Sequence, residues 1–299
     1  PKSARKYYTK ALNLDPRHAP AYVAWIRLKI KDPKNLAGAQ AQLEQLAVQG
    51  VKNAELVFLN GQIFAAQKRW EEAVSQYKKA VEMAPGRNRY RVAWGRALLK
   101  NEKLNEAKKV LEEVWQRAKC VSGAARAMAA YRMKSKDLEG ALRILKTGAE
   151  HRPTVEVILA LAQLYLEAGG KKRIVKAVEF LRKLLTKRRG DPQVNKMLGR
   201  ALLLQGKAEE AQKFLRNAAT HTKNDPEARL LLAKAYMSRA KVGRAMAELK
   251  EALKIDPNDP DVLEYKAEIQ FRRGAVVAAP LAPVEVTQQR LLPVLLIGG

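Results

Sequence analysis

The 299-residue chain holds one cysteine, Cys120. A single thiol makes no intrachain disulfide and no cysteine metal cluster, and it fits cytosol or periplasm equally. Aromatic residues are only 6% of the chain, so a core must be built from Ala, Leu and Val rather than from rings. Runs of alternating β-branched residues are missing, as are Asn-Gly or Asp-Gly turns between such runs, so strands and hairpins are not expected. No apolar stretch approaches the roughly 20 residues a membrane helix needs. The opening "PKSARKYY" lacks the apolar segment of a signal peptide. The expectation is a soluble protein of cytoplasm or periplasm.

Catalytic signals are equally sparse. The histidines are His18, His151 and His221, far apart and not at metal-ligand spacing. Cys120 has no histidine near it in sequence to make it a nucleophile. The stretch "AGGKKR" lacks the preceding strand and the Gly-Lys-Ser/Thr ending of a phosphate loop. An enzyme is not expected, and neither is a cofactor or a metal.

Positive charge, by contrast, is abundant. There are 57 Lys and Arg against 30 Asp and Glu, a net charge of +27. A surplus of this size points to attraction for anions or to a demand for solubility. The Ala- and Arg-rich composition fits a bacterium with a GC-rich genome.

The second abundance is periodic. Alanine recurs at Ala39, Ala73, Ala107, Ala141, Ala177, Ala211 and Ala245, with gaps of 34, 34, 34, 36, 34 and 34 residues. Four places after each comes a larger apolar side chain: Leu43, Tyr77, Leu111, Leu145, Leu181, Leu215 and Leu249. Upstream lies a second helical pattern with small residues at Gly61, Gly95, Ala129, Ala162, Gly199, Ala233 and Ala267, and Pro85, Pro153, Pro192, Pro226 and Pro260 mark the turns. A fixed period of this length means stacked supersecondary units. Two antiparallel helices must approach closely, so their crossing takes Gly or Ala while larger residues interlock on either side. One pair cannot bury its face alone, so neighbours stack.

These residues resemble the tetratricopeptide repeat (TPR) family over residues 2 to about 273. The small residue of the first helix, the aromatic or aliphatic residue three places later (Phe64, Leu98, Tyr165, Leu202, Tyr236), the alanine of the second helix and the closing proline all match. Residues 54–85 are the best copy. Ile26 departs from the pattern in the first copy and Lys119 in the third, and residues 168–175 carry a short insertion in the turn between helices. The resemblance implies an all-α, right-handed superhelical solenoid of about seven repeats over residues 1–273, with flanking half-repeats, sixteen helices in all. Residues 2–13 read as a second helix without its first, so the natural chain is expected to extend further upstream; residues 260–274 read as a first helix without its second. Residues 274–299, apolar and carrying three prolines, are expected to be an extended or disordered tail, or a peptide that docks through "LLPVLLI" on its own array, on a neighbour's or on another protein.

In this family the first helices line a concave groove. By resemblance, the groove residues here are Arg27, Lys31, Gln62, Arg96, Lys100, Arg126, Lys134, Gln163, Lys196, Arg200 and Lys234, with Leu159, Leu203 and Met237 interleaved and Glu55, Glu167 and Glu227 as acidic exceptions. A non-catalytic scaffold that binds an acidic segment of a partner protein is the leading reading, through charge-assisted hydrogen bonds. A denser cluster holds Lys171, Lys172, Arg173, Lys176, Arg182, Lys183, Lys187, Arg188 and Arg189 with one acid, Glu179. It supports an alternative, a binder of nucleic acid, acidic lipid or acidic polysaccharide, although no aromatic residues for base stacking are interleaved. Self-assembly, with the tail of one chain in the groove of the next, is the third reading.

Overall fold

In the computed structural model the structure describes residues 7–8, 10–12, 14–15, 18–117, 122–222 and 224–275. Among the described residues every regular element is helical. The chain divides between His151 and Arg152 into two compact units. In the N-terminal unit, helical residues between Tyr7 and Leu14 precede α1 (Ala19–Lys29), a single 3-10 turn (Pro33–Asn35), α2 (Leu36–Val48), α3 (Ala54–Ala66), α4 (Trp70–Met83), α5 (Asn88–Lys100), α6 (Leu104–Arg117), α7 (Ser122–Lys134) and α8 (Leu138–His151). The C-terminal unit holds α9 (Val155–Ala168), α10 (Lys171–Lys187), α11 (Pro192–Leu204), α12 (Ala208–His221), α13 (Pro226–Met237), α14 (Val242–Ile255) and α15 (Pro260–Ala275). Odd-numbered helices are the first members of seven pairs, and α15 is a first helix. Pro16, Lys119, Cys120 and the tail beyond Ala275 lie outside the described residues.

Local chemistry fixes where these helices begin and end. Asp191, Asp225 and Asp259 stand directly before Pro192, Pro226 and Pro260, 34 residues apart. Each carboxylate accepts from a backbone N–H of the first turn, at 3.1 Å from Val194, 3.2 Å from Ala228 and 3.0 Å from Val262. The proline supplies a helical φ where no N–H is needed. Within pairs, one residue in the left-handed region reverses the chain: Lys68, Glu102, Lys136, Gly206 or Ala240. After it a backbone N–H reaches back five residues, as from Lys207 to the Leu202 carbonyl and from Lys241 to that of Tyr236, both 2.9 Å. This bond satisfies a carbonyl that the helix end leaves open.

Packing places the core where the alanine period requires. All seven period alanines, from Ala39 to Ala245, are 0% exposed, and the larger residues four places later are buried. A methyl group built on Gly61 would stand 2.7 Å from the Tyr77 ring, and one on Gly95 or Gly199 would stand 2.6 Å from Leu111 or Leu215. The glycines therefore let α3, α5 and α11 close on their partners α4, α6 and α12. Inside each unit the second helix of a pair also packs on the next first helix, as α4 on α5 and α12 on α13. Phe58 joins α3 to both neighbours, with ring centroids 5.3 Å from Tyr77 and 4.6 Å from Tyr90.

Two expectations are refined. Ile26, too large for a crossing, is completely buried all the same, so the first pair is filled by bulk rather than by close approach. The insertion near residue 170 lengthens a helix and not a turn. Gly169 and Gly170, both at positive φ, reverse the chain in two residues. α10 then runs for 17 residues where its counterparts α4, α6, α8, α12 and α14 run for 14.

Candidate binding faces

The first helices of each unit carry the basic residues that the sequence singles out, and their surroundings divide them into two kinds. On α1, Arg27 donates to Glu55 Oε1 of α3 at 2.6 Å. Arg89 reaches the same oxygen, and the Tyr90 hydroxyl donates to the other at 2.6 Å. Burial alone would raise the Glu55 pKa, but the hydrogen bonds from Tyr90, Arg27 and Arg89 outweigh it and hold the carboxyl below its ordinary value. Three successive first helices, α1, α3 and α5, are thereby tied by one carboxylate. Lys31 lies exposed in the turn after α1, and Gln62 is half-buried on α3.

Further along the same unit the pattern changes. Arg96 and Lys100 of α5 face Arg126 and Lys134 of α7, with Lys68 nearby from the turn before α4. Burial and the charges of Lys134, Arg96 and Lys68 press the Lys100 pKa below its ordinary value. Burial and the Arg126 charge do the same to Arg96. Like charges are held close here, with the Trp70 ring centroid 5.8 Å from Lys100 Nζ. Lys134 has Glu102 at 4.0 Å, but that carboxylate is 86% exposed and its screening by water leaves the pair weak.

In the C-terminal unit the corresponding cations are matched by acids. Lys196 of α11 donates to Asp225 at 2.8 Å and to Glu227 at 2.7 Å. Burial would lower its pKa, yet the charge and hydrogen bonds of Glu227 and Asp225 raise it. Arg200 lies 3.8 Å from Glu227 and donates to Gln163 at 3.4 Å, while Gln163 donates to Glu167 at 2.5 Å. Lys234 sits 5.2 Å over the Tyr265 ring, whose hydroxyl pKa burial pushes up to about 12. The acids that looked like exceptions in the sequence are the partners of these cations. Asp225, Arg89, Tyr90 and Lys68 were not among the expected site residues. Their signal is a spacing: Arg27 to Glu55 is 28 residues, and Lys196 to Asp225 and Glu227 is 29 and 31.

The dense basic cluster lies on α10 and the turn after it. Lys171, Lys172, Lys176, Arg182, Lys183, Lys187, Arg188 and Arg189 are exposed, and Arg173 is half-buried with a 3.4 Å hydrogen bond to the Ala168 carbonyl. Arg182 is paired with Glu210 of α12. Beyond the helix end, Arg189 and Lys213 share a small cavity with Leu185, Phe214, Asn195 and Asn217. The ring N–H groups of His151 and His221 donate to the carbonyls of Thr147 and Asn217 at 2.9 and 2.8 Å, which is local capping.

Family comparison settles what the paired helices are. A tetratricopeptide repeat family model matches residues 170–235 and 202–269, and a second matches residues 34–88. Together the matched segments take in just over half of the sequence. The chain belongs to the tetratricopeptide repeat family. No curated protein matches the chain. Among solved structures, this TPR chain is similar to yeast Tom70 with a TM-score of 0.63 at 15% identity, over 87% of this chain and 52% of that one. It is similar to Pseudomonas aeruginosa pilF with a TM-score of 0.56 at 16% identity, over 72% of this chain and 97% of that one. YrrB, described as a TPR protein with an unusual peptide-binding site, is similar with a TM-score of 0.50 at 14% identity, over 64% of this chain and 97% of that one. At such identities the likeness is one of fold. TPR arrays are in general protein–protein interaction scaffolds rather than catalysts, and this chain has their helix pairs. Among the described residues no helix is long and apolar enough to cross a membrane.

Proposed function

We propose that this TPR protein is a non-catalytic scaffold that takes an acidic segment of a partner protein on the first-helix face of its N-terminal unit, at α5 and α7. The observation that carries this reading is the cationic group of Arg96, Lys100, Arg126 and Lys134, with burial and mutual repulsion lowering the Lys100 pKa. A carboxylate placed among them relieves that repulsion and gains charge-assisted hydrogen bonds. The C-terminal unit's Lys196 and Arg200 offer less, because Asp225 and Glu227 already hold them. Gln62 and Lys31 flank the site as polar contacts. Peptide recognition by YrrB, as its description states, fits the same use of the fold.

Selection from a random displayed-peptide library tests the reading. Peptides rich in Asp and Glu in a defined order are expected to emerge. Their affinity is expected to fall at least tenfold in a Lys100→Glu/Lys134→Glu variant, a loss of about 1.4 kcal/mol or more. Emergence of peptides without acidic residues, or full binding by the variant, rejects it.

A further inference from the structure

We propose that the outer face of α10, with the cavity at its C-terminal end, is a docking surface for an anionic lipid bilayer. Lys172, Lys176, Lys183 and Lys187 are spaced by 4, 7 and 4 residues, which puts all four on one side of the helix. They cover about 22 Å of its length at the helical rise of ~1.5 Å per residue. All four are exposed, and Glu179 is the lone acid between 171 and 189. The extra helical turn that distinguishes α10 from its counterparts carries Lys171, Lys172 and Arg173. This unit therefore has a longer basic helix at the one place where the repeat departs from its period.

Three features favour a lipid surface over a phosphate polymer. Val175 is 56% exposed among Lys171, Lys172 and Lys176. An apolar group amid cations suits the boundary between headgroups and acyl chains and offers nothing to a sugar–phosphate chain. No exposed aromatic residue lies between 171 and 189 on which a base could stack. The cavity combines Arg189 and Lys213 with apolar walls from Leu185 and Phe214, and its amide floor is tied by a 2.7 Å hydrogen bond from Asn195 to Asn217. Such a cavity takes one phosphate carrying an apolar continuation. Clusters of four to eight cations beside a helix are enough to hold a protein on an anionic leaflet.

The test is co-sedimentation of the full chain with vesicles of phosphatidylcholine alone, or of phosphatidylcholine and phosphatidylglycerol in equal parts, at low and physiological salt. Binding is expected only to the mixed vesicles and is expected to weaken with salt. Lys172→Glu/Lys176→Glu/Lys183→Glu/Lys187→Glu should reduce it by at least about a hundredfold. The fourfold Lys→Gln version, gentler on folding and checked by circular dichroism, should give a smaller loss in the same direction. Lys100→Glu/Lys134→Glu measures what overall positive charge contributes and should cost clearly less per charge. Absence of binding to the mixed vesicles overturns the proposal. So does an equal loss per charge at both places, or duplex DNA that binds more tightly than the vesicles through the same lysines.

Discussion

At Ala141 the space on the second helix ends at a methyl group, since the side chain is 0% exposed and its six counterparts share that burial. Ala141→Leu forces three further carbons into the crossing of α7 and α8. Over-packing of this kind costs roughly 1–3 kcal/mol, so urea unfolding should show a lower midpoint with an unchanged slope. A variant as stable as the parent would mean that the helix pair is not closed at this residue. Glu55 offers a second test. Its folded pKa lies below the ordinary 4.5, so the charged carboxylate contributes stability above that value and loses it as pH falls through the folded pKa. Glu55→Gln should cost roughly 1–3 kcal/mol near neutral pH. In thermal melts the gap between the two proteins should hold down to about pH 5 and close at lower pH. A gap that stays open in acid would show that shape, not charge, binds the three arginine and tyrosine donors.

Turns decide how each pair is built. Four non-glycine residues, Lys68, Glu102, Lys136 and Ala240, sit in the left-handed region where Gly206 serves the same role without strain. Ala240 has φ of 55° and no side-chain contact to justify the cost. Ala240→Gly relieves ~1–2 kcal/mol of strain against ~0.5–1 kcal/mol of added chain entropy. A net gain of about 0.5–1 kcal/mol is expected in chemical denaturation. At this scale the sequence is a good guide. The alanine period, the small residues at Gly61, Gly95 and Gly199, and the Asp-Pro starts each express a local rule, and the helices stand where those rules place them. The length of α10 escaped them, because a two-residue insertion can extend either a turn or a helix. The positive φ angles at Gly169 and Gly170 decide which. Ala267 shows the opposite limit: it keeps the small-residue register yet lies exposed, since among the described residues α15 has no second helix over it.

On the scale of the whole molecule, the net charge of +27 is uninformative until it is known which cations already have partners. That depends on contacts between successive first helices, about one period less a helical turn apart. An acid 27 to 31 residues after a first-helix base marks a satisfied cation, as Glu55 does for Arg27 and Glu227 for Arg200. The stretch 127–131 that answers Lys100 holds Ala, Met, Ala, Ala and Tyr, and the stretch 123–127 that answers Arg96 brings another cation, Arg126. The site at α5 and α7 is therefore written in the sequence, but only the three-dimensional offset makes it legible. Hydrogen–deuterium exchange of the full chain, with and without an acidic peptide from the library selection, tests the account most directly. The account predicts new protection in α5, α7 and the turn at Lys68, with α11 and α13 unchanged. Protection confined to α11 and α13, or spread evenly over every helix, would contradict it.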